Sequence, residues 1–160
     1  MNIVRILEYA LAREYQGKAF FTEHADKLQN ADAANAFKII AAEEQKHIDF
    51  ILAQLETYVE GKTGSVPELP GVEFFADQAA ATSIVQTVDE SMVADLPVLR
   101  MAYLIEHDFA EFYNMAAGKA EGDAKHVLDM LARWEAGHER LFKRLHDQLF
   151  EKYADMPWGG

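Results

Sequence analysis

Ala42-Glu43-Glu44-Gln45-Lys46-His47 interrupts a stretch that otherwise reads as a buried helix. The apolar residues around it, Phe37, Ile40, Ile51, Leu55 and Tyr58, keep the three-and-four spacing of a helix packed into a bundle. Glu44 and His47 occupy the two seam positions where that rhythm calls for Leu or Ile. A carboxylate and an imidazole turned toward a core cost several kcal/mol each unless something pairs with them. Because they lie three residues apart, both point off the same face of the helix. A metal ion meets both demands.

The same interruption recurs later in the chain. Leu128, Leu131, Phe142, Leu145 and Leu149 set the rhythm, and Glu135-Ala136-Gly137-His138 fills the gap. Two further apolar stripes each carry a single carboxylate. Glu14 lies among Leu7, Leu11, Phe21, Ala25 and Leu28, and Glu106 among Leu99, Ala102, Phe109, Tyr113 and Ala116. A lone Glu-x-x-His is a weak signal; two of them on seam positions, each with a seam Glu about 30 residues upstream, form a pattern. Four helices thus offer Glu14, Glu44, His47, Glu106, Glu135 and His138 to one interior, the donor set of a carboxylate-bridged two-metal site in a four-helix bundle.

An internal repeat supports this layout. Glu14 and Glu106 are 106 − 14 = 92 residues apart, and Glu44 and Glu135 are 135 − 44 = 91. Phe20-Phe21 answers Phe112-Tyr113, and Asp32-Ala33 answers Asp123-Ala124. The predicted fold is all-α: one domain over residues 1–160, with two repeated helical hairpins at about 3–60 and 96–153. A long crossover over 61–95 joins them, and residues Val72 to Met92 within it are expected to form an additional, weaker helix. Helix one is expected from Ile3 to Leu28. Asp32, Asp95 and Asp123 are the expected caps of the three later bundle helices. Gly17, one turn after Glu14, costs about 1 kcal/mol in a helix interior relative to Ala. Close approach of a neighbouring helix, or room beside a metal, would justify it.

Composition narrows the function classes. The chain has 160 residues, no cysteine and a formal charge of −12. Without cysteine there are no disulfides, thiolate clusters or thiol nucleophile. The charge argues against nucleic acid or an anionic membrane as partner. The opening residues show no signal-peptide core, and no apolar run is long enough to cross a bilayer, so the expectation is a cytoplasmic protein. His24, His107, His126 and His146 lie off the stripes and are read as surface residues, and Trp134 and Tyr103 as packing. Tyr113 lies two turns beyond Glu106 on the same stripe; there it can fill core, hydrogen-bond a ligand or relay an electron.

On these residues the chain resembles the ferritin-like superfamily of di-iron carboxylate proteins, and within it the rubrerythrin-type (erythrin) branch without a rubredoxin domain. Ala12 to Phe21 is similar to that branch's first-ligand segment, and Glu43 to His47 to its second-helix motif. Glu106 with Phe112-Tyr113, and Glu135 to His138, match the second half. The resemblance implies a ferritin-like bundle around two iron ions. Two departures stand out. Rubrerythrins place a further carboxylate one turn past the third-helix ligand, where this chain has Phe109. They also carry a cysteine-ligated rubredoxin domain, so here electrons would come from a separate donor protein or a small reductant. No short fifth helix of the cage-forming kind is evident, which argues against mineral storage.

Oxygen-rich donors with two imidazoles suit iron, manganese or a mixed Fe/Mn pair. Four carboxylates balance two divalent cations, and a bridging oxo or hydroxo group balances the charge added on oxidation. By position, Glu14 and Glu106 are expected as terminal ligands, Glu44 and Glu135 as bridges, and His47 and His138 as one further ligand per metal. The expected activity is a di-iron oxidoreductase that reduces O₂ or H₂O₂ or oxidises Fe(II). The alternatives are a non-catalytic iron-handling protein and a di-iron hydroxylase of an organic substrate. An acidic bundle with an apolar crossover is expected to form a homodimer.

Overall fold

The computed structural model describes residues 1–62 and 81–157. Four long helices make up most of it: α1 (Ile3–Ala25), α2 (Ala31–Val59), α3 (Asp95–Ala117) and α4 (Gly122–Ala154), with a short 3-10 turn, Glu90–Ala94, leading into α3. No strand occurs among the described residues, and no helix there is long and apolar enough to cross a membrane. Short connections make α1 with α2, and α3 with α4, two antiparallel hairpins, as the repeat predicts. At the second connection Gly122 takes φ +56, a left-handed backbone that glycine adopts without steric cost.

Each helix buries its periodic stripe, and the stripes form layers. One apolar layer is built on Leu7, Ile51, Tyr113, Leu128 and Leu131. The other is built on Phe21, Phe37, Ile40, Leu99, Phe142 and Leu145. In the second, Phe21 stacks on Phe142 with ring centroids 5.1 Å apart, and Phe37 meets both rings edge-on. Each such buried side chain contributes about 1.5–3 kcal/mol by leaving water. Along every helix the polar interruption falls between the two layers, so the bundle carries one polar floor at mid-height.

The helix ends differ from expectation in an instructive way. α1 stops at Ala25, three residues before Leu28, and Asn30 rather than Asp32 caps α2, its side chain accepting from Ala33 N at 3.0 Å. Asp32 instead accepts from Val85 N and Gln86 N, both at 2.9 Å. Asp95 is buried and serves the other hairpin: its carboxylate accepts from Gln29 N at 3.0 Å and Asn30 N at 2.7 Å. Asp123 lies inside the first turn of α4, after Glu121, which makes no side-chain cap bond. Asp32 and Asp95 find backbone amides distant in sequence that would otherwise go unpaired, so the local cap rule assigns them wrongly.

Residues 72–80 of the expected crossover helix, Val72 to Met92, lie outside the described residues. Its described end is not an α-helix. Residues 82–89 are irregular and are followed by the 3-10 turn. Side chains from the hairpins take up the amides there: Gln148 Oε1 accepts from Ile84 N at 3.0 Å, beside the two bonds to Asp32.

Candidate metal centre

Glu14 comes from α1, Glu44 and His47 from α2, Glu106 from α3, and Glu135 and His138 from α4, and all six are at most 2% exposed. They converge on the polar floor as two overlapping sets. In one, donor atoms of Glu14, Glu44, His47 and Glu135 lie within 4.8 Å of one another; in the other, donor atoms of Glu44, Glu106, Glu135 and His138 do. Glu44 and Glu135 belong to both. His47 Nδ1 stands 2.8 Å from Glu135 Oε1, 3.3 Å from Glu14 Oε2 and 3.9 Å from Glu44 Oε1. His138 Nδ1 stands 3.0 Å from Glu44 Oε1, 3.4 Å from Glu106 Oε1 and 3.6 Å from Glu135 Oε2. The imidazole planes are nearly parallel, 7° apart with centroids at 5.2 Å. Each ring presents Nδ1 inward.

The electrostatics of this cluster are severe. Both oxygens of Glu44, Glu106 and Glu135 are buried without an aligned hydrogen bond. Burial, with Glu135 and Glu44 close by, pushes the Glu14 carboxyl well above its ordinary range; burial, with Glu44 and Glu135, does the same to Glu106. For His47 and His138 burial works the other way, but the surrounding carboxylates outweigh it and hold both imidazoles well above their usual values. Glu135 goes against its own burial and is held below the carboxylate range by the two imidazoles. Without a cation, the site must therefore retain protons to limit its charge. Buried carboxylate oxygens lacking donors, in two four-residue groups that share two members, fit a pair of cations with oxygen and nitrogen preferences.

Around the floor, Tyr113 O–H donates to Glu14 Oε1, and burial beside Glu14 raises the phenol's pKa well above its ordinary value. Trp134 stacks on His47 at 5.0 Å and 17° and meets Phe50 edge-on at 5.4 Å, packing that fixes the ring plane. None of the other four histidines reaches the floor: His24 bonds Phe20 O, His107 pairs with Glu139, His146 with Asp147, and His126 is exposed.

The rubrerythrin family model matches residues 5–146. This chain belongs to the rubrerythrin family. The match runs through all four bundle helices and so covers every residue of the polar floor. No curated protein and no solved structure gives a match. Family and fold agree on a ferritin-like bundle with a carboxylate/histidine cluster suited to iron. The contact between Phe109 and Gly17 was not anticipated, although the 92-residue offset pairing Glu14 with Glu106 also pairs these two, 109 − 17 = 92.

Proposed function

We propose that this rubrerythrin-family chain binds two iron ions, or iron and manganese, and is an oxidoreductase that reduces O₂ or H₂O₂ or oxidises Fe(II). One observation carries this reading: two four-residue donor groups share Glu44 and Glu135 and no other residue. A single cation needs no second group, and a structural core tolerates no such cluster.

In this assignment Glu14 and His47 would hold one ion, Glu106 and His138 the other, and Glu44 and Glu135 would serve both. The ions would supply two one-electron couples, which suits a two-electron oxidant. The protein's part is to orient and exclude. Tyr113 ties up Glu14 Oε1 and leaves Oε2 to face the floor, so it acts as a positioning residue. Trp134 fixes the His47 ring, so Nδ1 is aimed before any ion arrives. Aromatic layers above and below keep bulk water from the reacting atoms. Electrons for repeated turnover come from a separate donor, since the chain has no cysteine to hold a cluster.

The test combines metal analysis of protein purified without chelator with anaerobic mixing of the reduced protein and H₂O₂ or O₂. Rapid reoxidation that recycles with added reductant supports the assignment. A single slow turnover with loss of iron favours iron handling instead, and oxidation of an added apolar substrate favours a hydroxylase.

A further inference from the structure

Glu14 and Glu106 are repeat counterparts, and the residues one turn beyond them, Gly17 and Phe109, are counterparts as well. The fold brings this second pair into contact. A Cβ added to Gly17 would lie 3.2 Å from Phe109 Cε2, and 3.5 Å from both Phe109 Cζ and Glu44 Oε2. One half supplies a ring, the other gives up its side chain, and the ring edge takes the space of both. That space adjoins Glu44, whose carboxylate oxygens accept no aligned hydrogen bond. Phe109 is 5% exposed, and outside it the Arg13 guanidinium carbon lies 4.6 Å from the ring centroid. Reading outward from the floor, the order is carboxylate, aromatic ring, cation.

We propose that Phe109, seated on Gly17 and covered by Arg13, is the specificity-determining residue of the two-metal site, admitting H₂O₂ or O₂ and rejecting substituted hydroperoxides. The proposal rests on the two-metal assignment above. A phenyl ring packed against bare backbone can tilt by a fraction of its width without displacing a helix, whereas a larger opening needs α1 and α3 to part. Small oxidants fit the first movement and bulky ones need the second. The chemistry is the same for H₂O₂ and for substituted hydroperoxides. The O–O bond of a hydroperoxide breaks as it takes one electron from each of two Fe(II) and two protons, leaving an alcohol, or water from H₂O₂, with water and two Fe(III).

The experiment compares wild type with Phe109→Ala, Phe109→Leu and Arg13→Ala. Two quantities are read: the rate of reoxidation of Fe(II)-loaded protein by H₂O₂ relative to tert-butyl hydroperoxide, and the rate at which Co(II)-loaded protein gives up metal to EDTA. Wild type should favour H₂O₂ strongly. Phe109→Ala should narrow that preference about tenfold and speed Co(II) release about tenfold, with Phe109→Leu between the two. Arg13→Ala, at a half-exposed position, should move both readouts the same way by less, and it keeps the test open if Phe109→Ala does not fold. Variants that bind two ions yet keep the wild-type preference and release rate overturn the role of Phe109 and leave the metal assignment standing. A wild-type chain that binds neither Fe(II) nor Co(II) overturns both.

Discussion

The Glu14 carboxylate accepts a phenol hydroxyl, whereas that of Glu106, its counterpart in the second hairpin, accepts no aligned hydrogen bond. Both hairpins bring a Glu and a Glu-x-x-His to the floor, but their surroundings differ. The residue seven positions after Glu14 is Phe21, and the residue seven after Glu106 is Tyr113, whose hydroxyl crosses to Glu14. The residue three positions after Glu14 is Gly17 and the one after Glu106 is Phe109, whose ring crosses to Gly17. In both cases the second hairpin supplies the group and the first receives it. The repeat thus keeps the donors and spends its differences on what surrounds them, leaving two donor groups alike in residue type and unlike in their neighbours.

Removing the residues that the two donor groups share should have the largest effect. Glu44→Gln or Glu135→Gln should lower metal content from two ions per chain to fewer than one, since each side chain belongs to both donor groups. Metal analysis after gel filtration checks this, and retention of both ions by either variant would rule out the bridging assignment. His47→Ala and His138→Ala should each leave about one ion, at opposite positions. Equal loss of both ions from either would mean that the positions fill only together.

The raised pKa values of Glu14 and Glu106 mean that the metal-free folded chain holds protons that the unfolded chain has released, so the stability they give is lost as pH rises through the folded values. His47 and His138 are raised too, and act in the same direction at higher pH. Glu135 is lowered and acts oppositely, but only in acid below the ordinary Glu range. Above the ordinary Glu range the metal-free protein should therefore lose stability as pH rises. Metal displaces those same protons, so loading should tighten over that window. Thermal melts with and without Mn(II) should diverge as pH rises. Saturation at about 100 times the dissociation constant adds about 2.7 kcal/mol. Parallel melting curves would count against cation binding at the floor.

Smaller effects probe the hairpins singly. Asp95→Ala leaves Gln29 N and Asn30 N without their acceptor and should destabilise the fold by about 1–3 kcal/mol in denaturant titrations. Metal content at saturation should not change. Tyr113→Phe removes the hydroxyl from Glu14 and should weaken the ion at the Glu14 position by about 0.5–1.5 kcal/mol, with little effect on the other. A competitive titration resolving two binding steps measures this. Should both steps shift together, the asymmetry between the hairpins has no bearing on binding.

Much of the site was legible because a helix has one period. Glu44, His47, Glu135 and His138 stand where Leu or Ile belongs, and nothing except burial explains that placement in a chain with so much solvent-facing surface for charge. The hairpins were legible from the repeat and from short polar turns. Asp32 and Asp95 were not, because a carboxylate at a helix start reads as a cap, while the amides these residues serve lie more than 50 positions away. The crossover was misread over 82–89 for a related reason. Its apolar residues suggest a helix, but its amides are claimed by side chains from the finished hairpins. Tyr113 was legible as a buried phenol needing an acceptor, but not as a donor to the opposite half.

The Asp95 carboxylate belongs to the first turn of α3 yet holds the turn between α1 and α2. One hairpin is thus latched to the other by bonds that involve no ion. Ions at the floor would then exchange with protons while the helices keep their places, and the chain should be emptied and refilled without being refolded.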